Sequence, residues 1–173
     1  PSDINLQEIP DDRHLEEMLE KGDIDALISP VRPAALIAGD DRVARMFPDY
    51  RKAEQDYFRR TGIFPIMHTV VLRRELYERD PWITVSIYEA YEKAKRLSKA
   101  RLLVTGPLAV GLPWLTADLE EIDEVFGGVD PFVYGIDANR KVLETITQIS
   151  EEQGLATRRV EIEELFAAEC FVE

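Results

Sequence analysis

The chain has 173 residues, with 34 Asp and Glu against 21 Lys and Arg, a formal net charge of −13 and 45 % hydrophobic residues. That length can bury a core, and that apolar fraction is too high for a disordered chain. The acidity argues against nucleic acid or a membrane surface as partner, no apolar run nears the roughly 18 residues of a membrane span, and the one cysteine, Cys170, permits no internal disulfide and reads as a free thiol.

The chain begins at Pro1, with no secretory apolar region near the start. Residues 2–9 alternate polar and apolar like a strand in mid-fold, so a removed leader or a truncated front is expected. The first strand candidate, residues 4–9, closes at Pro10. Asp11 and Asp12 can cap a short helix with Leu15, Met18 and Leu19 on its apolar side and Gly22 as its stop. Residues 23–28 then read as a short buried strand, and helix, glycine, strand is an α/β rhythm. Ser29-Pro30-Val31-Arg32-Pro33 breaks the backbone at that strand's carboxyl end, where ligands bind in open α/β sheets.

Gly39-Asp40-Asp41 is a turn, and residues 43–47 are expected as a short helix before Pro48. Asp49 caps the next helix, with Tyr50, Ala53 and Tyr57 on one face and Gly62 at its end. Residues 63–72 are the most strand-like stretch, with Phe64, Ile66, His68, Val70 and Leu72 on one side. Asp80-Pro81 starts a helix to about residue 99, with Ile83, Ile87, Tyr91, Ala94 and Leu97 at core spacing. Residues 102–111 hold Gly106-Pro107 and read as a short strand or a loop. An acidic helix over 117–126 stops at Gly127-Gly128, and an aromatic loop over 130–135 follows. Asp137 caps a helix to 153, with Val142, Ile146 and Ile149 inward and Gly154 at its end. A last short helix holds Ile162, Leu165 and Phe166. Strands dominate the first 72 residues and helices the rest. So helix-rich a second part needs another surface to cover, and it is expected to expose an apolar face after Asp80.

No phosphate-binding loop, GxGxxG, GxSxG, HExxH or CxxC is present, so no organic cofactor is indicated. The many carboxylates leave room for a divalent metal, but no local spacing points to one. His68 is either a hydrogen-bonded core histidine or a general acid/base at an opening. Arg32, between two prolines, is either a paired surface arginine or a clamp for a carboxylate. Ser29 forms a turn or donates its hydroxyl, and Thr69 is taken with His68 as a substrate-binding candidate. His14 reads as a surface residue. Arg73 and Arg74 read as a solvated helix start pairing with Glu75 or Glu78. Trp114 and Tyr134 pack their loops or meet a ring, and the Tyr57-Phe58 and Trp82-to-Tyr91 aromatics read as core.

Several stretches carry a resemblance: Phe47-Pro48-Asp49-Tyr50-Arg51, Arg60-Thr61-Gly62-Ile63-Phe64-Pro65-Ile66-Met67-His68-Thr69-Val70-Val71, and Tyr77-Glu78-Arg79-Asp80-Pro81-Trp82. So do Leu112-Pro113-Trp114-Leu115, Tyr134-Gly135-Ile136-Asp137-Ala138-Asn139-Arg140-Lys141 and Glu164-Leu165-Phe166-Ala167. Together they resemble the 4,5-dihydroxyphthalate decarboxylase family over nearly the whole chain. Asp23-Ile24-Asp25-Ala26-Leu27 looks like part of type 2 periplasmic-binding-protein folds generally.

The resemblance implies an α/β fold of two lobes about a ligand cleft. Residues 1–72 would be the second lobe with the strand returning through the hinge, and 73–173 C-terminal helices packing on a first lobe absent from this chain. It implies release of CO2 from a dihydroxylated aromatic dicarboxylate to give 3,4-dihydroxybenzoate. Position and chemistry, not the resemblance, put His68 forward as the acid/base and Arg32 as anchor for the retained carboxylate, with Ser29 and Thr69 binding substrate. The implied partner is a small aromatic or organic acid in a cytoplasmic enzyme, with a homo-oligomer allowed for. The competing reading is a non-catalytic solute-binding protein for a small organic acid, periplasmic if a signal precedes this chain.

Overall fold

The computed structural model describes residues 4–103 and 110–170. The described residues form two compact units that divide at Asp56/Tyr57, so the expected boundary at 72/73 falls inside the second. Regular structure among them is helical, and no strand forms.

The first unit holds α1 (Leu15–Lys21), α2 (Ala34–Ala38) and the start of α3 (Tyr50–Thr61). α1 stops at Gly22 as expected, but its N-cap is His14 and not an aspartate. α2 directly follows the proline-flanked loop at 29–33, in a stretch for which the sequence predicted no element, and residues 43–47 form no helix. Asp49 does cap α3, its carboxylate accepting the Lys52 N–H at 3.1 Å. Local pairs hold the loops: Arg13 with Asp23, and Arg42 with Asp40 at 2.6 Å and with the Glu20 carbonyl at 3.1 Å.

The second unit contains the end of α3, an extended stretch over 62–73, and then α4 (Arg74–Arg79), α5 (Trp82–Leu102), α6 (Leu115–Phe126), α7 (Ile136–Glu152) and α8 (Ile162–Leu165). A short 3-10 turn, Ala168–Cys170, follows. α5 packs on α4 and on this turn, and α7 packs on α8. α5 begins one residue after Pro81, as the Asp80-Pro81 pair predicts, yet Asp80 turns its carboxylate to Arg79 and not to the helix N–H groups. α7 starts from Gly135, whose φ of 96° and ψ of 152° suit only a residue without Cβ.

The expected strands at 4–9, 23–28 and 63–72 are corrected. Residues 63–72 are extended, but their backbone makes no ladder hydrogen bond among the described residues. A strand exists only with a partner backbone, and alternation in sequence supplies none. The stretch at 102–111 lies largely outside the described residues. The α/β class is therefore replaced by a helical one for what is described.

The core is small. Ile136, Leu143 and Ile162 are buried together, with Phe166 and Cys170 packed against them, and Ala35 is the buried apolar residue of the first unit. The assumed core faces are largely open instead: Tyr91 is 50 % and Leu97 54 % exposed, and Ile146 and Leu165 are exposed. Helices after Asp80 thus carry the exposed apolar surface expected of them. With so few buried side chains, each weighs heavily. Leu143→Ala should destabilise the second unit by about 2–5 kcal/mol, read as a lower urea midpoint at unchanged slope.

Candidate functional site

His68 sits midway along the extended stretch, which is fixed at both ends. At its start, α3 closes through the Thr61 hydroxyl, which donates to the Tyr57 carbonyl at 2.7 Å and accepts the Ile63 N–H at 3.1 Å. The Gly62 N–H donates to the Phe58 carbonyl at 2.6 Å, and the Lys141 ammonium donates to the Thr61 carbonyl. Lysine at a helix C-terminal carbonyl meets both an unsatisfied acceptor and the negative end of the dipole. Phe64 then packs edge-on against Phe126 at 5.3 Å and Phe132 at 5.5 Å, with Phe58 on Phe126 at 4.4 Å. At the far end, α4 is held by the Tyr77 hydroxyl, which donates to Glu169 at 3.0 Å.

Between these ends His68 and Thr69 are exposed, as are Met67, Val70 and Val71. His68 has no hydrogen bond or ion pair among the described residues, so the core-histidine alternative falls. Thr69 edges an open groove of 710 Å³ whose apolar wall includes Leu143, Ile146 and Phe166. His68 does not line it. Arg74 does, with no ion pair among the described residues, and pairs with neither Glu75 nor Glu78. Its position after a strand-like run was visible in the sequence; its lack of a partner was not.

The acids of the groove are already engaged. Glu164 takes two hydrogen bonds from Arg158, at 2.8 and 2.6 Å, and Glu163 takes one from Arg140 at 3.1 Å. The Arg158 guanidinium, with the Glu161 N–H, holds the Glu164 carboxyl down at about 2. Burial, aided by the Glu169 charge, pushes the Cys170 thiol up, away from the reactive thiolate.

The aromatic loop is clamped to α5 by one lysine. Lys95 reaches Glu92 at 2.8 Å, Asp130 at 3.3 Å and the Phe132 carbonyl at 3.0 Å, and lies 4.0 Å from the Tyr134 ring centre. Partial burial pulls the Lys95 pKa down, but the hydrogen bonds and charges of Glu92 and Asp130 outweigh it and hold it above its ordinary value. Asn139 fixes the loop's other end by donating to the Val133 and Gly135 carbonyls at 2.9 and 2.8 Å. Tyr134 therefore serves packing, against Tyr88 and Tyr91. No local spacing announced the Lys95–Asp130 or Lys141–Thr61 contacts, because these partners lie 35 and 80 residues apart.

Arg32 and Ser29 belong to the first unit, so His68 and Thr69 are not in one compact body with them. Arg32 is exposed and has no ion pair among the described residues. The Ser29 hydroxyl oxygen accepts the Val31 N–H at 3.1 Å, the turn-forming role, and its own O–H is left to donate. Among the described residues no group of three His, Cys, Asp or Glu is placed to hold a metal, and no helix is long and apolar enough to cross a membrane.

No family model matches the chain. It is similar to the 4,5-dihydroxyphthalate decarboxylase of Comamonas testosteroni, at 31 % identity over 166 residues. Those residues are 96 % of this chain and 50 % of that protein, so the chain spans about half the length of its relative.

The low Glu164 pKa has a testable consequence. A carboxylate held below its ordinary value contributes stability in full above 4.5 and loses it as pH falls toward about 2. Carboxyl carbon shifts followed by NMR should give a Glu164 midpoint of about 2, and Arg158→Gln should return it toward 4.5.

Proposed function

We propose that this chain contributes to a carboxy-lyase that removes CO2 from 4,5-dihydroxyphthalate, or a close dihydroxylated aromatic dicarboxylate, to leave 3,4-dihydroxybenzoate. The similarity along 96 % of the chain to a protein of that name carries the reading. The reading brings with it the two-lobed type 2 periplasmic-binding-protein-like fold, which rests on the motif resemblance alone.

The chemistry asks for few groups. The ring carbon bearing the leaving carboxylate takes a proton while an ionised hydroxyl para to it pushes electrons into the ring. The ring–carboxylate bond then breaks, its electron pair restores aromaticity, and CO2 departs. One proton is consumed per CO2. His68, exposed and without a competing partner among the described residues, is proposed as the donor that refills from water. Arg32 is proposed for the carboxylate that stays. A cation gripping the departing carboxylate would stabilise the ground state and slow the reaction. The Thr69 and Ser29 hydroxyls are proposed as neutral hydrogen-bond donors to substrate oxygens.

Incubation of the intact protein with 4,5-dihydroxyphthalate should release CO2 and 3,4-dihydroxybenzoate in equal amounts. His68→Ala should lower turnover about a hundredfold or more, and an unchanged rate removes its role. Arg32→Gln should act mainly on KM. Binding of the dicarboxylate without CO2 release would overturn the lyase reading in favour of solute capture.

A further inference from the structure

Two of the stretches that carry the resemblance, residues 60–71 and 134–141, meet in space through one side chain. Lys141, in the first turns of α7, donates from its ammonium to the Thr61 carbonyl at the end of α3. The same nitrogen lies 3.3 Å from the point a Cβ on Gly62 would occupy, so it sits directly over the turn at φ 65° where the extended stretch departs. The Thr61 hydroxyl and the Gly62 N–H complete that turn. Phe64, two residues on, is seated between Phe126 and Phe132, in and beside the loop that Asn139 and Lys95 tie down.

We infer that Lys141 is a positioning residue for His68, fixing the direction in which its extended segment leaves α3. The inference rests on the proposed role of His68. Beyond Phe64 the segment has no backbone ladder among the described residues, so its course toward His68 is set at its ends. Six extended residues reach about 20 Å, so a turn of about 3° at Gly62 displaces His68 by about 1 Å. A misplacement of that size is enough to cost about a hundredfold in rate. Lys141 itself is exposed and is not one of the buried core residues, so its replacement removes no core side chain.

The test uses the intact protein with Lys141→Met, Lys141→Arg and His68→Ala. Amide exchange at Gly62 and Ile63 should quicken in Lys141→Met. Its kcat should fall at least about tenfold, at a temperature well below its melting midpoint, with KM little changed. Lys141→Arg, which can donate to the same carbonyl, should restore both. Unchanged exchange in Lys141→Met overturns the inference whether or not CO2 is released. Faster exchange with unchanged kcat, where His68→Ala is inactive, also overturns it and leaves Lys141 as a stabilising contact. Full turnover in His68→Ala removes the proposed role of His68, and the positioning role with it. If the intact protein releases no CO2, the proposed function falls, and the exchange data alone decide whether Lys141 fixes the turn.

Discussion

Three consecutive residues at the start of α7 hold three separate parts of the second unit. Asn139 takes two carbonyls of the aromatic loop, Arg140 reaches Glu163 on α8, and Lys141 caps the end of α3. Successive residues of an α-helix point about 100° apart, so one turn of helix can face three neighbours. Gly135 makes this arrangement available by letting the loop enter the helix at a φ of 96°. Each such polar contact is exposed or half-buried and adds little net stability, because water and salt screen it. Their product is direction. The apolar centre beside them, Ile136, Leu143 and Ile162, supplies cohesion but too few contacts to orient long loops by itself.

That division between cohesion and direction explains the extended stretch. Its start is set by Thr61, Gly62, Phe64 and Lys141 and its end by α4 and the Tyr77–Glu169 bond. Between them ten residues keep an extended course without ladder bonds among the described residues. Backbone donors and acceptors there have no ladder partner among the described residues, and Met67 at 76 %, Val70 at 59 % and Val71 at 84 % stay exposed. Such an edge is a template for another backbone, and its apolar side chains gain free energy when covered. A histidine on a segment pinned at both ends is presented to solvent with a defined direction, which suits proton transfer better than a histidine on a frayed loop.

The helices were legible in the sequence because their signals are local. Gly22, Gly62 and Gly127 mark helix ends, Asp49 caps α3, and Asp80-Pro81 precedes α5. Strands failed because pairing is not local: the alternation in 63–72 fixes which residues share a side, but no partner strand follows among the described residues. The core was misplaced for the same reason. Three-to-four spacing on α5 identifies an apolar stripe correctly, yet a stripe becomes core only when another surface meets it, and Tyr91 and Leu97 meet little. At the candidate site, residue chemistry pointed to His68 and Arg32, whereas the contacts that shape it, Lys141 to Thr61 and Lys95 to Asp130, join residues far apart in sequence.

Charge then bears on what this surface can bind. A net charge of −13 repels a dicarboxylate at long range, but salt screens that field beyond about 8 Å at physiological ionic strength. Inside that distance single side chains decide. The acids of the groove are neutralised locally, Glu163 by Arg140 and Glu164 by Arg158, whereas Arg74 on the same groove has no counter-charge among the described residues. Arg32, in the other unit, is likewise without one. An anion approaching either guanidinium displaces water and no internal carboxylate, so it escapes the penalty of breaking an existing ion pair. The acidic composition therefore acts on the rate of encounter, and under the proposed function the arginines without a counter-charge, not the average field, are where a carboxylate would be held.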